Sequence, residues 1–393
     1  MTSFRDVERR TLAAVAELGR SGLPLDVFFR EVHDLLRPVL GYDAGCWHGA
    51  DPVTGFITST VSTDLPAAGF DRAVVLEVWS DDPTRFSGIR ESGRLADTVH
   101  RATGGRPEQS IRYRELLQEF GYTDELRMNL DAQGGRWGAA ALMRGDGSRP
   151  YAPREIRLAE RVARTVAETL RDASVTDPGT LTGPAQITAV LVVGPSGRLV
   201  SADPQAQELL AGLSEEMTRI GGVPTAVVTV VQRARANAAA GRPVAPAVAR
   251  LRGPAGGWIS LHASLLDGRA DGRVAVVAQP ASPLDVMPLT LMAHRLSARE
   301  QEVALHTVRG HSTQEIARTL YLTPATVQDH LKSVFTKTGV RSRRELVALL
   351  MAQHIGASVR SPADPPSDVL LHRAPAPARR TSASARTRRP ARS

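Results

Sequence analysis

The chain has 393 residues, with 49 Lys and Arg against 41 Asp and Glu, for a formal net charge of +8; that length suits two or three domains, each with its own core. Residues 357–393 carry eight Arg against two Asp, residues 296–356 eight basic against five acidic, and the rest sums to about −1, so the front of the molecule has no nucleic-acid footprint. A single cysteine, Cys46, excludes an internal disulfide and a cysteine-rich metal cluster, and no apolar run approaches the length of a membrane span.

Residues 1–175 read as one α+β domain. Helices are expected over residues 4–18 and 25–40, the second with Val27, Phe28, Val32, Leu35 and Leu36 on its apolar side. Strand character follows at residues 41–47 and 55–61, and again at 137–143 between glycine-rich turns. A long helix over residues 153–171 closes the domain, with Ile156, Ala159, Val162, Ala163, Val166 and Leu170 in register. Helix, meander of strands and closing helix resemble a GAF domain, which implies a sensory fold. Cys46 and His48 flank Trp47; two such residues at the start of a strand are expected to pack rather than to ligate haem or metal.

After a linker at residues 176–183, residues 184–285 form a smaller unit. An apolar strand at 187–193, a turn at Gly194-Pro-Ser-Gly197 and a return strand at 198–200 lead to a helix capped by Asp203 and started by Pro204. Strands are expected at 256–263 and 272–278, the latter an inner one. This order is similar to a PAS module.

Residues 290–356 are expected to be all helical. Ser297 can cap a helix through Glu300, Val303 and Leu305 that stops at Gly310. Ser312 or Thr313 caps a short helix over 314–320 with Ile316, Ala317 and Leu320 on one side, and Tyr321-Leu322 makes the turn. Thr323 as N-cap and Pro324 at the first helical position open the next helix, on which Val327, Leu331, Val334 and Phe335 form one apolar stripe. Gln328, Asp329, Lys332 and Ser333 fall away from it, where base edges could be met. Lys332 and Lys337 are the only lysines in the chain. A fourth helix over 343–353 supplies Leu346, Val347, Leu349, Leu350 and Met351. Two short helices joined by a tight turn and braced by flanking helices form a helix-turn-helix. A protein-binding bundle could share the periodicity, but cap, turn, lysines and the Arg341-Ser-Arg-Arg344 cluster together point to DNA.

Leu296-Ser-Ala-Arg-Glu-Gln-Glu-Val303, Gly310-His-Ser-Thr-Gln-Glu-Ile-Ala317, Thr326-Val, His330-Leu and Lys337-Thr-Gly-Val-Arg-Ser-Arg343 resemble the LuxR-type helix-turn-helix signature. The resemblance implies a DNA-binding transcription regulator with double-stranded DNA as partner. On it, Thr326, His330, Thr313, Gln314, Thr323, Ser333, Lys337, Arg341 and Arg343 are DNA-contact candidates, while Gln328, Asp329 and Lys332 face bases. It also implies homodimers paired through the fourth helix at Leu346, Leu349 and Leu350; alternatively these leucines complete the domain's own core, as some of them must. Gln314 and Gln328 stand where the family often has lysine, and Asp329 brings a negative charge to the DNA, so the operator cannot be copied from a relative.

The tail, residues 357–393, is rich in Pro, Ala, Ser and Arg and is expected to be disordered and basic. The N-terminus lacks the apolar core of a signal peptide, so a cytoplasmic protein is expected, with no membrane partner. The chain contains no P-loop, no Gly-x-Ser-x-Gly and no His-Glu-x-x-His, and no lysine precedes residue 332, so neither an enzyme nor a phosphorylated receiver domain is expected. No cofactor is expected. The front region is read as a sensor with room for a small-molecule ligand; alternatively, it serves as a dimerisation or protein-interaction platform without one.

Overall fold

The computed structural model describes residues 4–176, 188–213, 219–220, 222–241, 246–253 and 257–358. The linker after Thr176 and the basic tail beyond Ser358 lie outside the described residues. Helix α1 (Phe4–Arg20) and helix α2 (Leu25–Leu40) come first. Gly41 ends α2 in the left-handed region, φ 61°, where its N–H donates to the Arg37 carbonyl. Then follow β1 (Ala44–Ala50), β2 (Ile57–Thr63), α3 (Phe70–Trp79), α4 (Phe86–Glu91), β3 (Ala96–Thr98), α5 (Val99–Ala102), β4 (Tyr122–Ala132), β5 (Gly135–Gly145) and α6 (Pro153–Thr176).

The five strands make one antiparallel sheet in the order β2-β1-β5-β4-β3. Alternation along each strand gives the sheet two faces. Trp47, Leu126, Met128, Leu130, Ala140 and Leu142 point to one face, where Phe29, Val32 and Leu36 of α2 and Ile156, Val162 and Val166 of α6 complete the main core. Cys46, Ala139, Ala141 and Met143 point to the other, against Phe86, Val99 and Leu117.

The second segment holds β6 (Ala189–Val193), β7 (Leu199–Ala202), α7 (Pro204–Gly212), the two-residue pair β8 (Arg219–Ile220) and β9 (Val223–Pro224), α8 (Thr225–Ala239), β10 (Val248–Arg252), β11 (Trp258–Leu265) and β12 (Val274–Pro280). Its sheet runs β10-β11-β12-β6-β7, all antiparallel. Numbered among its own five strands and read from β7, this is the strand order of the first sheet over again: second, first, fifth, fourth, third.

Helix α8 buries Val227, Val230 and Val231 against this second sheet. It also reaches the first: Thr229 Oγ1 donates to the Ile57 carbonyl at 3.0 Å, and Trp79 Nε1 donates to Gln232 Oε1 at 3.0 Å. Asp51, wholly buried, accepts from the backbone and the guanidinium of Arg250 at 3.1 and 3.0 Å.

The C-terminal helices are α9 (Pro283–Ala293), α10 (Ala298–Val308), α11 (Thr313–Leu320), α12 (Pro324–Thr338) and α13 (Arg343–Ser358). The last four match the expected set. The expected set lacked α9, whose Met287 and Leu291 join Leu296, Ala304, Val334, Leu346 and Leu350 in one small core. Among the described residues no helix is long and apolar enough to cross a membrane.

Candidate nucleic-acid interface and sensor-region cavity

Side chains at both ends of α11 and at the start of α12 fix the helix-turn-helix. Ser312 caps α11 in a reciprocal box: its Oγ accepts from the Glu315 N–H at 3.3 Å, while Glu315 accepts from the Ser312 N–H at 2.7 Å. Tyr321 ends α11 in the left-handed region at φ 55°, with its ring in solvent. This turn brings Leu322 N–H to the Ala317 carbonyl at 2.9 Å. Thr323 then caps α12, its Oγ1 accepting from Thr326 N–H at 3.1 Å. Val327 and Leu331 bury against Val303, Ile316 and Ala317, which sets the angle between the two helices.

Gln328, Asp329, Lys332 and Thr336 lie exposed on the opposite side of α12. Gln328 Nε2 donates to Thr313 Oγ1 at 3.1 Å, and Arg343 Nη2 donates to the same oxygen at 2.8 Å. Arg343 Nη1 also holds the His311 carbonyl at 2.9 Å. Thr313, Gln328 and Arg343, which come from three elements, are therefore one cluster. Thr323, Gln314 and Arg341 are exposed; Thr326 and His330 are half-buried beside the same surface.

Two of the expected contact residues are engaged elsewhere. Lys337 Nζ donates to both oxygens of Glu300, at 2.6 and 2.9 Å, and Ser333 Oγ donates to Glu300 Oε1 at 2.6 Å. Burial opposes the Glu300 charge, but hydrogen bonds from Lys337, Ser333 and Ser297 win and hold its carboxyl at about 2. The leucines of α13 divide between the two expected roles. Leu346 and Leu350 lie inside the core against α9, so of the three expected to pair two copies only Leu349 keeps part of its surface. The sequence reading missed the cover that α9 provides.

The profile of bacterial regulatory proteins of the luxR family matches residues 294–350. Helices α10 to α13 form a luxR-family domain. Two curated relatives, both named probable transcriptional regulatory protein NarL, from Mycobacterium tuberculosis strains CDC 1551 / Oshkosh and ATCC 25618 / H37Rv, are 36% identical over 92 residues. That stretch is 23% of this chain and 37% of each relative's length. Among solved structures, SdiA in complex with octanoyl-rac-glycerol aligns over 89% of this chain and 98% of its own, at 11% identity and a TM-score of 0.34. The phage VqmA–DPO complex aligns over 51% and 92%, at 17% identity and a TM-score of 0.24. The exposed face of α12 and the Thr313 cluster beside it both lie within the matched residues.

A second feature lies outside this domain. A cavity of about 580 Å³ opens between the outer face of the first sheet, α3, α4 and α8, within the size range of small-molecule sites. Cys46 and His48 line it, with Cys46 Sγ 3.2 Å from His48 Nε2 and His48 Nδ1 2.9 Å from Thr60 Oγ1. Burial pushes the Cys46 thiol up to about 12, and burial with Arg127 and Arg112 nearby pulls His48 down to about 3. Both side chains are therefore neutral at ordinary pH. Among the described residues no group of three or more His, Cys, Asp and Glu could hold a metal ion. The remaining lining residues come from segments that the sequence reading did not link to one another.

Proposed function

We propose that this protein is a one-component transcription regulator, in which residues 1–285 sense a small molecule and residues 290–356 bind double-stranded DNA. The observation that carries the reading is the exposed polar face of α12 within a luxR-family domain. Lys332, exposed in the middle of that face and without an ion pair among the described residues, is suited to a base edge or phosphate. Thr313 Oγ1 accepts from both Gln328 and Arg343, so its own proton must point to an outside acceptor, such as a phosphate oxygen. The name of the curated relatives agrees with a regulatory role.

Several features support the sensor half. Helices α2 and α6 back a five-stranded sheet, with α1 packed on them, and this fits a GAF-like module over residues 1–175. The recurrence of one strand order fits a second, PAS-like module of related build over 184–285. The cavity favours a small ligand over a platform that binds none. A physical link also runs toward the DNA-binding unit: Arg295, just after α9, pairs with Asp172 of α6 at 2.9 Å, and α9 shares its core with α13. On palindromic DNA two copies are expected at half-sites roughly 10 base pairs apart. A genome-wide map of bound DNA, followed by titration of the enriched duplex, tests the reading; an absence of any enriched sequence overturns it.

A further inference from the structure

Six arginines line the cavity, against Glu77 and Glu91. Four have carboxylate partners: Arg112 with Glu125 at 2.6 Å, Arg127 with Glu77 at 2.8 Å, Arg90 with Asp131 at 3.1 Å, and Arg85 with Asp81 at 3.7 Å. Among the described residues, Arg136 and Arg233 have none. Arg136, at the start of β5, is 7% exposed, yet its guanidinium makes one long hydrogen bond, 3.4 Å to the Gly55 carbonyl, and its Nε has no partner. Arg233, on α8, lies 5.1 Å from the centre of the Phe56 ring, and its Nε is likewise without a partner. The two guanidiniums thus flank adjacent residues, Gly55 and Phe56, from two different segments of the fold. Burial lowers the pKa of both, and Arg85 adds to this at Arg233.

A buried guanidinium with no counter-ion is costly unless an anion completes it. Counted with those partners, the six arginines face five carboxylates, Glu91 at the exposed rim being the fifth, so the site as a whole carries one excess positive charge. A monoanion neutralises that; a phosphate dianion overshoots it. The rest of the wall is apolar, with Phe70, Val74, Leu116 and Phe120 prominent.

We propose that the cavity binds a small amphipathic carboxylic acid, its carboxylate held by Arg136 and Arg233 and its apolar body lying against Phe70, Val74, Leu116 and Phe120. Guanidinium and carboxylate match as a planar, charge-assisted pair. Because Arg136 belongs to the first sheet and Arg233 to the helix backing the second, one bound acid ties the two segments together. This deepens, and rests on, the sensor reading above.

Calorimetry on the full chain without DNA tests it, with decanoate and 4-phenylbutyrate as probes beside their primary amides and decyl phosphate. At least one acid is expected to bind at one site per chain, with its amide at least tenfold weaker and decyl phosphate weaker than decanoate. Arg136→Met and Arg233→Met should each weaken the acid roughly tenfold and leave the amide nearly unchanged. Arg233 is half-buried, so its variant keeps the test open where Arg136→Met fails to fold, and the acid–amide comparison needs no variant. The inference is overturned if neither acid binds, if an amide equals its acid, if decyl phosphate binds more tightly than decanoate, or if the Arg233 variant retains full acid affinity. DNA titration of the ligand-free chain tests the regulator reading separately, so failure of either is recognisable by itself.

Discussion

Lys337, near the end of α12, grips Glu300, at the third position of α10, with Nζ 2.6 Å from Oε2. Glu300 is also the closing half of the Ser297 capping box, its Oε2 accepting from the Ser297 N–H at 2.7 Å. One carboxylate therefore caps the first helix of the luxR-family unit and anchors α12. Glu300→Gln keeps the shape but loses the charge, and should cost on the order of 1–3 kcal/mol. The sign with pH follows from the lowered pKa: the stabilisation is complete above the ordinary carboxylate value and is lost as pH falls from about 4.5 toward 2. Scanning calorimetry of wild type and variant should show curves that converge in acid; a constant gap from pH 7 to 2.5 rules out this ion pair as the source.

On the exposed face, Lys332→Ala should weaken specific DNA binding by about 1–3 kcal/mol through loss of a base or phosphate contact. Gln328→Ala should act twice, relaxing sequence preference and releasing Thr313. Thr313→Val, which keeps the shape and removes the hydroxyl, should weaken binding to all sequences alike. Fluorescence anisotropy on operator and random duplexes reads all three. Unchanged binding in every variant removes α12 from the groove.

Much of the C-terminal unit was legible because caps are local chemistry. Ser297, Ser312, Thr323 and Pro324 sit where helices begin whatever surrounds them, and α2 spans the residues its apolar spacing marks. Strand β4 was not legible. Leu126, Met128 and Leu130 alternate with Glu125, Arg127 and Asn129, and those polar residues are buried as well, paired with Arg112, Glu77 and the Phe86 carbonyl from distant segments. Helix α8 defeats propensity: its run of Val227, Val228, Val230 and Val231 favours a strand, yet burial on several sides makes it a helix. The cavity was out of reach for a related reason, since Arg136 and Arg233 meet only after the second segment docks on the first.

The two kinds of leucine on α13 should separate cleanly. Leu346→Ala removes a fully buried side chain from the core shared with α9 and should cost about 2–5 kcal/mol. Leu349 is only half-buried, so Leu349→Ala should cost well under that, about 1 kcal/mol or less. If α13 pairs two copies, the Leu349 variant should lower the number of chains per palindromic duplex in analytical ultracentrifugation. Two chains per duplex at the same concentrations as wild type would place the pairing surface elsewhere.

His306 and His311 face each other with their Nδ1 atoms 2.9 Å apart and their rings 5.0 Å between centres. One Nδ1 must carry the proton while the other accepts, so the contact does not survive protonation of both rings. Burial lowers the pKa of His306, and His311 and Arg309 lower it further, against a smaller opposing effect of Glu302. The folded state thus resists a proton that the unfolded chain accepts. The stability that follows from His306 is complete above its ordinary value of about 6.5 and declines as pH falls through its lowered folded value. The consequence is local: the His311 carbonyl accepts from Arg343, and Arg343 holds Thr313, so opening the pair should loosen the Thr313 cluster beside the exposed face of α12. Hydrogen exchange over residues 299–322 at pH 7.5 and 5.5, corrected for intrinsic rates, should show protection lost in wild type and a smaller pH effect in His306→Gln. An equal loss in both proteins means that the acid sensitivity of this rim comes from other groups.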